Sequence, residues 1–135
     1  MVLCDTRYWY FAYICAIKTD KKMKDIETTK SQMRKGMLEY CILLLLHREA
    51  SYASDIIARL KEAKLIVVEG TLYPLLTRLK NEEMLSYEWV ESTQGPPRKY
   101  YRLTPQGEEL LDGLQTAWDE LSDTVNHLRT KLLIQ

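Results

Sequence analysis

Side chains suited to a phosphate backbone gather in one stretch of this sequence. Arg98 and Lys99 follow directly on Pro96-Pro97, and Arg102 comes after Tyr100-Tyr101. Two prolines stiffen a turn and remove backbone donors. The expectation is a rigid basic tip, which positions a protein on DNA without reading sequence. Just upstream, Thr71, Tyr73, Thr77 and Arg78 lie on the polar side of an apolar-periodic segment. Arginine on a helix face is the commonest reader of guanine in a major groove. The same residues could equally be the solvated face of an amphipathic helix. The basic hairpin beside them is what tips the balance toward nucleic acid.

Enzymatic chemistry has no comparable support. The chain has no glycine-rich phosphate loop, no nucleophile with a plausible base and no metal-ligand spacing. His47 and His127 are far apart and near no cysteine cluster, so neither a metal nor another cofactor is expected. The three cysteines, Cys4, Cys15 and Cys41, are odd in number and form no Cys-x-x-Cys pair. A reducing cytosol is the default for such a pattern. Cys41 sits in the most apolar segment and reads as packing.

The elements that must hold the basic residues follow from periodicity. Residues 33–48, with the run Cys41-Ile-Leu-Leu-Leu-Leu, read as a helix buried on all sides. Glu49–Tyr52 is a break, with Ser51 a candidate N-cap. Ile56, Ile57 and Leu60 mark a second helix ending near Ala63. Leu72, Leu75, Leu76 and Leu79 mark a third, at helical spacing. Pro74 is tolerable only in a first turn, so that helix should start near Gly70. Leu85, Tyr87 and Trp89 alternate as a strand, with Trp89 covering the core. Ser92–Pro97 is turn material, and Lys99–Leu103 is the return strand. Thr104-Pro105 is an N-cap followed by proline at the first helical position.

The last helix carries its own signal. Leu111, Leu114, Trp118, Leu121, Val125, Leu128 and Leu132 recur at spacings of three and four. Such a heptad seam calls for a partner helix, most simply from a second copy. Tryptophan packs poorly in a regular two-stranded seam. Trp118 therefore either packs on the body of its own chain or faces its mate across a space that would hold a planar aromatic ligand.

Composition sets the outer bounds. A chain of 135 residues suits one domain. Lysine plus arginine equals aspartate plus glutamate at 19 each, which counts against a non-specific DNA binder. The distribution softens this, because acids collect in the last helix and bases on the hairpin. Residues 8–17 are aromatic-rich and apolar but fall short of the about 20 residues of a membrane span. They also lack a signal-peptide pattern. We read 1–32 as an extension outside the fold, with Met23 a candidate true start. An interfacial anchor is the competing reading. Residues 33–104 then form a winged helix-turn-helix, and 105–135 a dimerisation helix. The fold class is mainly α with a small β-hairpin.

Gly70-Thr-Leu-Tyr-Pro-Leu-Leu-x-Arg-Leu, then Leu85-x-x-x-Trp, then Gly95-Pro-Pro-Arg-Lys-Tyr-Tyr-x-Leu-Thr-x-x-Gly resembles the PadR family of bacterial transcriptional regulators. The likeness spans residues 33–132 and is to the compact subfamily with one long C-terminal helix. It implies a cytoplasmic homodimeric repressor on a palindromic double-stranded DNA operator. By position, the resemblance places Thr71, Tyr73, Pro74 and Arg78 on the recognition helix and Arg98 and Lys99 on the wing. It places Tyr52 where members contact phosphate, and Trp118 where drug-responsive members stack planar compounds. Val68 departs from the pattern, which often has a polar helix cap there. The alternative is a winged-helix module used only for protein–protein contact, which would suit the zero net charge.

Overall fold

A computed structural model describes the backbone of residues 6–133 and the side chains of residues 26–132. The chain divides into two units, Met1–Met37 and Leu38–Gln135. The first helix, α1, is Thr6–Arg48. Its backbone thus takes in residues read from sequence as an aperiodic extension. No glycine or proline occurs between Thr6 and Lys35, so nothing local breaks the helix even without an apolar face. Glu27 and Lys30 add an ion pair at 2.8 Å one turn apart. The apolar run at 8–17 lies outside the residues whose side chains are described.

In the second unit, the C-terminal part of α1 supplies Leu38, Ile42, Leu43 and Leu46 to the core. Leu44 turns outward, so this stretch is buried on one side and not all round. Then follow β1 (Ser51–Tyr52), α2 (Ala53–Glu62), α3 (Glu69–Asn81), β2 (Leu85–Ser92), β3 (Gly95–Leu103) and α4 (Pro105–Leu133). Ile56 and Leu60 of α2 meet Leu72, Leu76 and Leu79 of α3 around that core. Buried aliphatic side chains of this kind each contribute roughly 1.5–3 kcal/mol relative to exposure. The sheet has strand order β1-β3-β2, so a third, two-residue strand joins the expected hairpin.

That strand corrects one expectation. Ser51 is not a helix cap: it pairs with Tyr101, and its hydroxyl donates to the Glu49 carbonyl at 3.2 Å. Tyr52 stands at the N-cap of α2 without a side-chain cap bond. Val68 likewise begins α3 uncapped by its side chain. Pro74 lies inside α3, past the first turn, where its missing N–H leaves the Gly70 carbonyl without that bond.

Helices α2 and α3 end alike. Lys64 and Glu83 take positive φ, 62° and 63°. Leu65 N–H returns to the Leu60 carbonyl and Lys64 N–H to that of Lys61. Met84 and Glu83 repeat the arrangement on Leu79 and Lys80. Both are Schellman endings in a position that glycine usually fills.

Helix α4 starts as expected. Gly107 N–H donates to the Thr104 hydroxyl oxygen at 3.0 Å. The same hydroxyl donates to the Glu83 carbonyl at 2.6 Å, tying the end of α3 to the start of α4. Gly107 is required by closeness: a Cβ there would lie 2.2 Å from the Met84 carbonyl oxygen.

Candidate nucleic-acid interface

Pairing register decides how the basic residues are presented. Leu85 faces Leu103, Trp89 faces Lys99, Val90 faces Arg98 and Ser92 faces Gly95. One residue, Glu91, thus opposes both Pro96 and Pro97, which makes a bulge. A bulge is where a strand accommodates prolines that cannot donate to the ladder. Strand β3 therefore begins at Gly95, and the turn shrinks to Thr93-Gln94. Arg98 and Lys99 are on the shaft of the hairpin and not at its tip. Being consecutive in a strand, they point to opposite faces.

Each cation rests on rings. The Arg98 guanidinium lies 4.5 Å from the centre of Tyr52, which itself packs on Tyr100 at 5.0 Å. The Lys99 ammonium lies 4.5 Å from Tyr87 and 5.4 Å from Trp89. Among the described residues neither cation has a carboxylate within ion-pair range. A ring face attracts a cation but leaves its charge in place. Arg102 differs: it holds Glu88 at 2.7 Å, and that hydrogen bond, then the Glu88 charge, raises its pKa.

Between α3 and the hairpin lies a cleft of about 350 Å³. Its lining includes Tyr73 and Thr77 of α3, Trp89 of β2, Arg98 and Lys99 of β3, and Tyr52 just before α2. The structure thus brings together five residues expected at the site: Tyr52, Tyr73, Thr77, Arg98 and Lys99. Thr77 also donates its hydroxyl to the Tyr73 carbonyl at 2.9 Å, leaving its oxygen free to accept. Thr71, Pro74 and Arg78 are exposed on α3 but do not line this cleft. Arg78 reaches instead to Glu39, with Nη2 to Oε2 at 2.6 Å.

Two residues of this surface were not legible from periodicity. Trp89 is 62% exposed and does not cover the core. It sits too far along β2 from buried Leu85 and packs edge-on against Tyr87 at 6.0 Å. Counting residues out from Leu85 could have shown this. Glu39 is separated from Arg78 by 39 positions, and no local pattern signals the pair.

Along α4, Leu111 is 3% exposed and belongs to the core of its own chain, with Leu114 packed against that core. Trp118, Leu121, Val125, Leu128 and Leu132 are exposed large apolar residues. Cys41 is unpaired, and burial pushes its thiol pKa up, which suits packing and not reactivity. No described helix is long and apolar enough to cross a membrane.

Comparison with known proteins agrees with this geometry. The model of the transcriptional regulator PadR-like family matches residues 42–113, from the end of α1 into α4. A solved PadR-like transcription factor from Bacteroides fragilis is 74% identical, over 75% of this chain and 98% of its own, with a TM-score of 0.65. A PadR family transcriptional regulator from Eggerthella lenta is 30% identical, over 80% of this chain and 95% of its own, with a TM-score of 0.74. An uncharacterised protein of Lysinibacillus sphaericus is 28% identical over 100 residues, 72% of this chain and 92% of that one. A winged helix-turn-helix whose helix, hairpin and linking strands fall within the family match places this chain in the PadR-like family of transcriptional regulators.

Proposed function

We propose that this protein is a homodimeric repressor that binds a palindromic operator in double-stranded DNA through α3 and the β2–β3 wing. The observation that carries the reading is the α3–wing cleft, lined by Tyr73 and Thr77 of α3 and by Arg98 and Lys99 of β3, two cations that rest on rings and have no ion pair among the described residues. Local charge of this kind meets phosphate even when net charge is zero. Residues 33–104 act as the DNA-binding part, and 105–135 as the dimerisation helix, with 1–32 outside both. The exposed apolar series from Trp118 to Leu128 supports a second α4 as partner. Trp118, on that series, is where a planar aromatic effector would stack.

The test is DNA binding across a salt series, on the region upstream of the protein's own gene and on random DNA. Arg98→Ala and Lys99→Ala should each weaken binding to both. Each should flatten the log–log salt slope by about one per lost phosphate contact, hence about two per symmetric dimer. Unchanged slopes for both variants would remove the wing from the interface. No binding by the parent chain even at low salt would favour a protein–protein module.

A further inference from the structure

We infer that Glu39 is a built-in competitor for the recognition-helix arginine: its carboxylate holds Arg78 in the free protein, and DNA must displace it. This rests on the DNA-binding reading and adds to it a residue that lowers affinity. Arg78 is on the exposed side of α3, yet its guanidinium is held at both ends. Nη2 meets Glu39 at 2.6 Å, and Nη1 meets Glu82 at 3.7 Å. Glu39 is the firmer arm. Its side chain is 29% exposed, the least of any acid in the described ion pairs. Leu38 beside it and Ile42 and Leu43 one turn on are buried, which anchors the stretch of α1 that carries it. Separately, the Glu39 hydrogen bond, then its charge, raises the Arg78 pKa.

The contrast with the wing gives the pair its meaning. Arg98 and Lys99 lie on aromatic rings, which leave a phosphate nothing of like charge to expel. Arg78 already has an oxyanion in the place a phosphate or guanine edge would take. Any contact it makes to DNA is therefore an exchange of one anion for another. Binding is weakened by what the pair contributes in the free protein. Exposed ion pairs are worth little, so the exchange is passable and the effect is a trim of affinity. The effect counts once per protomer.

The experiment is a double-mutant cycle read by DNA affinity on the full-length protein, at fixed salt, on cognate and random DNA. Glu39→Gln keeps the shape and removes the charge. It should tighten binding about two- to fivefold per protomer, the range expected for an exposed pair. Glu39→Asp, with a shorter reach but the charge kept, should fall between parent and Glu39→Gln. In an Arg78→Ala background, Glu39→Gln should change affinity little. Thermal unfolding of each variant at one protein concentration identifies any that is misfolded. For such a variant, Glu39→Ser is measured in its place. If Glu39→Gln leaves affinity unchanged while Arg98→Ala still weakens binding, this inference fails and the DNA-binding reading stands. If Glu39→Gln tightens binding equally in the Arg78→Ala background, Glu39 acts only as a charge near DNA and the inference also fails. If parent and variants bind no DNA, both readings fall.

Discussion

Gly107 is the position where a single methyl group has the most definite consequence. It is the third residue of α4, and its N–H completes the Thr104 cap at 3.0 Å. Helix propensity alone favours Gly107→Ala by about 1 kcal/mol. The structure argues the other way. The new Cβ would lie 2.2 Å from the Met84 carbonyl oxygen and 2.7 Å from Leu103 Cδ1. The leucine tip can rotate, but the carbonyl is backbone. It already accepts from Thr104 N–H at 3.1 Å. Moving it strains that bond, worth about 1 kcal/mol net. Overpacking of this kind costs a further 1–3 kcal/mol or so. Against the propensity gain, the net is a loss of about 1–3 kcal/mol. For a domain of roughly 100 residues that lowers Tm by about 5–20 °C. The assay is calorimetry or circular dichroism at one fixed protein concentration, because the Tm of any chain that self-associates depends on concentration. A Tm equal to or above the parent's would show that the α3–β2 corner yields freely, and the packing account of the Thr-x-x-Gly motif would be wrong.

Glu83→Gly should raise stability by roughly 0.5–1 kcal/mol. It relieves a left-handed non-glycine backbone that costs about 1–2 kcal/mol and loses part of that to unfolded-chain entropy. An unchanged or lower midpoint in urea counts against it. Leu121→Asp places a charge on the exposed apolar series of α4. If a mate covers that series, the unpaired charge costs about 3–5 kcal/mol, and sedimentation should show monomer with operator binding lost; an intact dimer would refute the seam. Trp118→Ala should abolish affinity for a planar aromatic dye and spare the dimer, read from the dye's own polarisation because the substitution removes the reporting indole and Trp9 and Trp89 also emit. Retained dye affinity would leave Trp118 without a ligand role.

Much of the architecture was written in local pattern. The 3–4 spacing of Leu72, Leu76 and Leu79 marked α3, and those residues are buried. Thr104-Pro105 marked the start of α4, and the cap forms there. Such signals depend on neighbours within one turn or one strand, so reading them needs no knowledge of the rest of the fold. The family motif across residues 70–107 was legible for the same reason. The site itself needed tertiary contacts. Whether Trp89 covers the core depended on how far β2 runs past Leu85. Whether Arg98 and Lys99 share a face depended on where the bulge at Pro96-Pro97 falls in the ladder. Leu111 looked identical to the rest of its heptad series, and only packing against the body separated it from them. The hold of Glu39 on Arg78 joins helices far apart in sequence. A chain specifies its elements through short-range geometry, whereas the partner of a charged side chain is chosen only when those elements dock, and that choice set the state of the arginine on α3.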